Sequence, residues 1–66
     1  MTKYIISSGF SVVSEILETE QITTVQVTNE VDKAISFNSI GEAMFKTIKV
    51  NKILNLCCYR VISIEI

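Results

Sequence analysis

Only one stretch of this chain repeats its apolar residues at the helical period, and it dictates what the remainder has to become. Between Ser39 and Lys49, Ile40, Ala43, Met44, Thr47 and Ile48 fall at i, i+3, i+4, i+7 and i+8, which is one stripe down a helix surface. Ser39 with Glu42 three positions on forms a capping box, in which serine oxygen and glutamate side chain satisfy backbone N–H groups of the first turn. The helix therefore has a defined start and one apolar face, and that face is expected to lie on a sheet. Its end is less marked: Val50, Asn51, Lys52, Ile53 and Leu54 keep neither a helical stripe nor an alternation, and the end is placed near Asn51.

The rest of the chain is rich in strand formers. Lys3-Tyr4-Ile5-Ile6-Ser7 precedes a Ser8-Gly9 turn signal and a second run, Phe10 to Leu17, so the two read as a hairpin. In the second run Phe10, Val12, Ser14 and Ile16 share one face, and Ser11, Val13, Glu15 and Leu17 the other, with Glu15 marking the wetter side. After the polar connection Glu18-Thr19-Glu20-Gln21, a third run spans Ile22 to Thr28, with Val25 and Val27 on its dry side. Asn29 and the acidic residues after it can cap a single helical turn ending around Ala34. Phe37 is a core anchor under the helix start.

The last run, Leu56 to Ile66, is the longest apolar stretch. Read as a strand, it places Ile62, Ile64 and Ile66 toward the helix and Cys57, Tyr59, Val61, Ser63 and Glu65 on the opposite side. A run finishing on Ile64-Glu65-Ile66 is expected inside the sheet or against another chain, since unpaired ends fray.

These elements define an α+β fold over residues 1–66 as a single domain: a two-layer sandwich in which one main helix packs on a four-stranded, mostly antiparallel sheet, in the order β-β-β-α-β. If the first three strands form a meander and the helix crosses over it, the fourth strand runs parallel to the first, giving a sheet order of 4-1-2-3.

A chain of 66 residues buries only about 60% of the surface its unfolded form exposes. With 48% of its residues apolar, either the core is efficient or a partner covers some apolar surface, and the expectation is some of each. The formal charge of −1 argues against an electrostatic nucleic-acid binder. The charge is nonetheless polarised. Residues 1–32 set Lys3 against Glu15, Glu18, Glu20, Glu30 and Asp32; residues 33–66 set Lys33, Lys46, Lys49, Lys52 and Arg60 against Glu42 and Glu65. Such asymmetry can steer a partner, though an ordinary solvated surface accounts for it as well.

Adjacent Cys57 and Cys58 would point to opposite faces of a strand, and no second pair exists to build a disulfide framework. No signal-peptide pattern and no membrane-length apolar run is visible. The reading is a soluble, cytoplasmic protein.

The chain has no histidine, which removes the commonest general base and zinc ligand. Two isolated glycines cannot form a phosphate-cradling loop. No catalytic, cofactor or metal residues are assigned, and the chain is read as a non-enzyme. Cys58 could be activated by Arg60, but each cysteine is read as a small buried hydrophobe. Glu15, Glu18 and Glu20 lack the shaped loop a divalent cation needs and are read as a solvated connection. Lys46, Lys49 and Lys52 recur every three residues, as a wet helix face or as a contact for an acidic partner. The candidate partner surface combines those lysines and Arg60 with an apolar patch of Val13, Leu17, Tyr59 and Val61, beside Cys57, on the sheet side away from the helix.

Lys3-Tyr4-Ile5-Ile6-Ser7, Asp32-Lys33-Ala34 followed by Phe37 and Ser39, Glu42-Ala43 in the helix, and a closing valine/isoleucine strand with Glu65 carry a resemblance over most of the length. On these residues the chain resembles a loosely defined type of short accessory protein encoded by bacteriophages and prophages of Gram-positive bacteria. It departs from the pattern in its cysteine pair and its lysine-rich helix end. The resemblance implies a small protein of a mobile element that binds and blocks a host protein, immune nucleases included. The function expected is thus a non-enzymatic interaction protein acting in host takeover or anti-defence. Its partner is a host protein, self-association into a homodimer can accompany this, and neither a membrane nor a cofactor is involved. The alternative is a small nucleic-acid-binding accessory protein that uses Lys46, Lys49, Lys52 and Arg60.

Overall fold

Ser39 starts the helix as its sequence requires: its backbone is extended and its Oγ accepts a hydrogen bond from the Glu42 N–H at 3.4 Å. The computed structural model describes residues 1–65. Strands β1 (Thr2–Ser7), β2 (Val12–Glu18) and β3 (Thr23–Thr28) precede a single 3-10 turn at Val31–Lys33, helix α1 (Ile40–Leu54) and strand β4 (Arg60–Glu65). The four strands form one sheet in the order β3-β2-β1-β4, which is the expected strand order. No helix among the described residues is long and apolar enough to cross a membrane.

Every pairing in the sheet is antiparallel, including β1 with β4, from Thr2 opposite Glu65 to Ser7 opposite Arg60. The expectation that the fourth strand runs parallel to the first is therefore corrected, and the reason lies in residues 29–39. This segment carries the chain back along the sheet before the helix begins. Helix α1 then climbs and β4 descends. On its way the segment wedges between β1 and β2, which share one paired position, Ser7 opposite Val12. Past that point the Ile35 N–H donates to the Val13 carbonyl at 3.0 Å, and Phe37 exchanges two backbone hydrogen bonds with Tyr4, at 2.8 and 3.0 Å. Backbone groups that a simple hairpin would have paired with each other are paired with the returning chain instead.

Strand β2 carries a bulge. Val13 lies opposite Val27 and Glu15 opposite Gln26, so Ser14 is the extra residue, and its hydroxyl donates to the Gln26 carbonyl at 3.2 Å. The inserted residue shifts the alternation, which lets both Val13 and Ile16 pack toward the core.

The helix runs three residues beyond Asn51. It stops where Asn55 adopts a left-handed conformation, φ 55° and ψ 44°. The Leu56 N–H then donates to the Asn51 carbonyl at 2.9 Å and the Asn55 N–H to the Lys52 carbonyl at 3.3 Å, a Schellman closure. Because the helix takes residues up to Leu54, the expected long final strand is shortened: residues 56–59 are a connection, and Cys57 and Cys58 are exposed in it rather than buried in a strand.

The core gathers Ile6, Val13, Phe37, Ala43, Val50 and Tyr59, with Tyr4, Ile16, Val25, Ile35, Leu54 and Val61 packed around it. Two expected faces are corrected here. On the helix the buried line is Ala43, Thr47 and Val50, while Ile40, Met44 and Ile48 are exposed. Small residues occupy the seam, where the backbone comes closest to the sheet, and the larger ones flank it. Tyr59, immediately before β4, and Val61 on it turn toward the helix, whereas Ile62, opposite Ile5 on the other face, is exposed. Ile66 lies outside the described residues. A buried tyrosine must find a partner for its hydroxyl, and Tyr59 finds Ser11 Oγ at 2.8 Å; alternation then fixes the side chains after it. Strand β4 is an edge strand and does not lie inside the sheet.

Candidate functional site

Leaving Ile40, Met44 and Ile48 outside the seam creates the most distinctive surface of the molecule. Together with Thr47 from α1 and Tyr59, Arg60 and Val61 from the β4 side, they line an open groove of ≈ 390 Å³ between helix and strand. Ile40, Met44 and Ile48 form its outer wall at 53%, 54% and 68% exposure. Helical spacing of four residues stacks them in one row. Phe45 extends this apolar surface around the helix, and the Lys49 ammonium lies 4.9 Å from the centre of its ring.

The floor is fixed by hydrogen bonds that consume its polar atoms. Thr47 donates its hydroxyl to the Ala43 carbonyl one turn back at 2.8 Å. Tyr59 spends its hydroxyl on Ser11, and its backbone is held from above by the Asn51 carboxamide, which donates to the Tyr59 carbonyl at 3.0 Å and accepts from the Tyr59 N–H at 3.2 Å. What the groove presents is apolar surface; Arg60 borders it between Tyr59 and Val61, at a position where strand alternation directs the side chain to the sheet face away from the helix. Such a lining suits apolar side chains and offers no converging set of polar atoms for chemistry on a substrate.

The residues expected to form a partner surface are not brought together. Val13 is wholly buried, and Tyr59 is 7% exposed under the helix; neither lies on an outer sheet face, so both are corrected as contact residues. Val61 is half-buried and forms part of the groove on the helix side. Leu17 is exposed on β2 opposite Thr24, away from the groove lining.

The lysines divide into two kinds. Lys46 and Lys49 both reach the same carboxylate oxygen of Glu18, each at 3.2 Å. Hydrogen bonds first from Lys49 and then from Lys46 hold the Glu18 carboxyl below its ordinary pKa. The notion of Glu15, Glu18 and Glu20 as a cation cradle thereby loses its central member to an ion pair. Lys52 is exposed near the end of the helix.

Sequence reasoning missed Ile40, Met44 and Ile48 as surface residues. A signal was present: α1 carries more large apolar residues than one buried stripe can use, with Phe45, Val50, Ile53 and Leu54 in addition to Ile40, Met44 and Ile48. Such an excess leaves some of them outside whichever stripe is buried.

No family model, no curated protein and no solved structure matches this chain.

Proposed function

We propose that this chain is a non-enzymatic interaction protein that docks a protein partner in the groove between α1 and β4. Its role, following the resemblance drawn from its sequence, is that of a mobile-element accessory protein that binds and inhibits a host protein. One observation carries the docking reading: three large aliphatic side chains in a row, all more than half exposed, stand beside a groove whose floor is rigidly held. Contiguous apolar surface of this kind costs free energy in water and is relieved when a partner covers it. The nucleic-acid alternative gains little from the lysines, because Lys46 and Lys49 are both drawn onto the one carboxylate of Glu18, which offsets half of their charge.

The test is capture of partners from the lysate of a Gram-positive host, with the wild-type chain compared against Met44→Asp and Ile48→Asp. Both substitutions fall on exposed positions, and circular dichroism confirms that the fold survives. A stoichiometric partner retained by the wild type and lost by both variants is the expected result. A partner held equally by all three chains, or none, overturns the reading.

A further inference from the structure

We infer that the occupant is an extended segment of the partner, bulky and apolar at alternate positions, which adds to the sheet as a further strand along β4 and sets those side chains in the groove. This inference rests on the docking reading and specifies its ligand. Its basis is the direction in which the β4 backbone groups point. Tyr4 exchanges both of its backbone hydrogen bonds with Phe37, at 2.8 and 3.0 Å, on the side of β1 away from β4. Tyr4 also lies opposite Ser63, so that pair is a non-hydrogen-bonded one of the antiparallel ladder. The bonded pairs are the alternating ones: Lys3 with Ile64, Ile5 with Ile62 and Ser7 with Arg60. Ile62 and Ile64 therefore spend their backbone groups on β1, while Val61 and Ser63 turn theirs outward. The same alternation turns the backbone groups of Tyr59 outward, and there the Asn51 carboxamide takes both.

Beyond the reach of Asn51 the edge is open. Strand β4 is last in the sheet, and among the described residues nothing bonds to the outward N–H and carbonyl of Val61 or Ser63. Donors and acceptors alternating at this spacing match an extended backbone, whereas a helix keeps its own groups paired internally. Residues of an added strand that lie opposite Val61 and Ser63 share their face of the sheet, the one that α1 covers. Their side chains enter the groove beside Met44 and Ile48, and the residue between them lies on the other face next to exposed Ile62. The open edge and the apolar wall thus complement each other: backbone pairing supplies the seat and the groove reads alternate side chains. A second copy of this chain fits less well. With Tyr59 already taken, an antiparallel pairing of two β4 edges that uses both open positions sets Ser63 or Glu65 opposite Val61. Neither brings a bulky apolar side chain to the groove.

The peptide acetyl-Thr-Leu-Thr-Leu-Thr-amide, titrated into the isotope-labelled chain and followed by NMR, tests this. Saturable shifts of the Val61 and Ser63 amides, with slowed hydrogen exchange at both, are the expected result. Methylating the backbone nitrogens of the leucines, or instead those of the threonines, is expected to give opposite outcomes. One pattern removes the N–H groups that face β4 and weakens binding about tenfold or more; the other leaves it within about twofold. Ser63→Pro deletes an outward N–H while sparing the ladder to β1, and is expected to weaken the peptide about tenfold. Ser63→Ala keeps that N–H and is expected to change affinity by less than about twofold. No saturable shift at Val61 and Ser63, or equal effects of the two methylation patterns on the unaltered chain, overturns the inference. So does undiminished binding by a folded Ser63→Pro chain. Slow exchange of both amides in the free protein, with a sedimentation mass of two chains, overturns it in favour of a second copy. If strand addition falls while lysate capture still depends on Met44 and Ile48, the docking reading stands and its occupant is not an extended segment.

Discussion

Asn51 grips the backbone of Tyr59 with both ends of its carboxamide, Nδ2 to the carbonyl at 3.0 Å and Oδ1 to the N–H at 3.2 Å. An asparagine on the last turns of α1 thereby acts as a short strand, supplying the residue before β4 with the pair of hydrogen bonds a neighbouring backbone would otherwise give. Asn51→Ala removes both and leaves a part-buried N–H and carbonyl without protein partners. The expected loss is about 1–3 kcal/mol in urea denaturation, together with faster exchange of the Tyr59 amide proton. Asn51→Asp keeps the acceptor but loses the donor, and is expected to fall between the two. Unchanged stability in both variants would show that water replaces the clamp at no cost.

Tyr59 is held at its other end by Ser11 Oγ at 2.8 Å, which ties β4 to the β1–β2 turn. Tyr59→Phe and Ser11→Ala should each lower stability by about 0.5–1.5 kcal/mol. The double variant should lose less than the sum of the two, because both singles break the same bond. Strict additivity in that cycle would remove the hydrogen bond from the account.

Glu18 gives a pH signature. Its carboxyl is held below its ordinary pKa by Lys49 and Lys46, so the folded state binds this proton less readily than the unfolded chain. The stabilisation is fully present above the unfolded glutamate pKa and is lost as pH falls through the lower, folded value. Side-chain carbon shifts followed by NMR should titrate Glu18 below the ordinary glutamate value. Glu18→Gln should flatten the acid limb of the stability–pH curve, and an unaltered curve would contradict the assignment. High salt should shrink the difference, since the three side chains are partly exposed.

The phase of the helix can be read from two truncations. Val50 is wholly buried and Ile48 largely exposed, although a hydrophobicity pattern alone favours Ile48 as the core residue. Val50→Ala should cost roughly 2 kcal/mol from lost burial and the cavity left behind, whereas Ile48→Ala should stay within about 0.5 kcal/mol. Reversed magnitudes in thermal or urea unfolding would put the other stripe against the sheet.

Cys57 and Cys58 are both exposed in the connection between α1 and β4. A thiol reagent added to the native protein should therefore modify both without denaturant, at rates close to those of the unfolded chain. Protection of either thiol until unfolding would restore the buried-strand reading.

What could be read from the residues in advance divides along a physical line. The start of α1 was legible because Ser39 and Glu42 act through local geometry, and the strand runs were legible from composition and turn residues such as Gly9, whose φ of 95° suits a residue without a side chain. The direction of β4 was not, because it depends on residues 29–39 returning along the sheet, and no local propensity encodes a return. The bulge at Ser14 and the inward turn of Tyr59 were hidden for a related reason: each is fixed by a partner distant in sequence, Gln26 and Ser11 respectively. The groove followed from these unseen pairings. Sequence placed bulk toward the core, whereas the close approach of α1 to the sheet reserved the seam for Ala43, Thr47 and Val50.

The pairing of β1 with β4 also governs how such a molecule comes into being. Thr2 and Glu65 are 63 positions apart yet bonded side chain to side chain, and β1 makes only one paired position with its nearest neighbour in sequence. During synthesis β1 must wait, without its principal mate, until β4 has been made. Long-range closure of that kind slows the search for the native arrangement, and a chain interrupted before Arg60 would leave the β4-facing edge of β1 open.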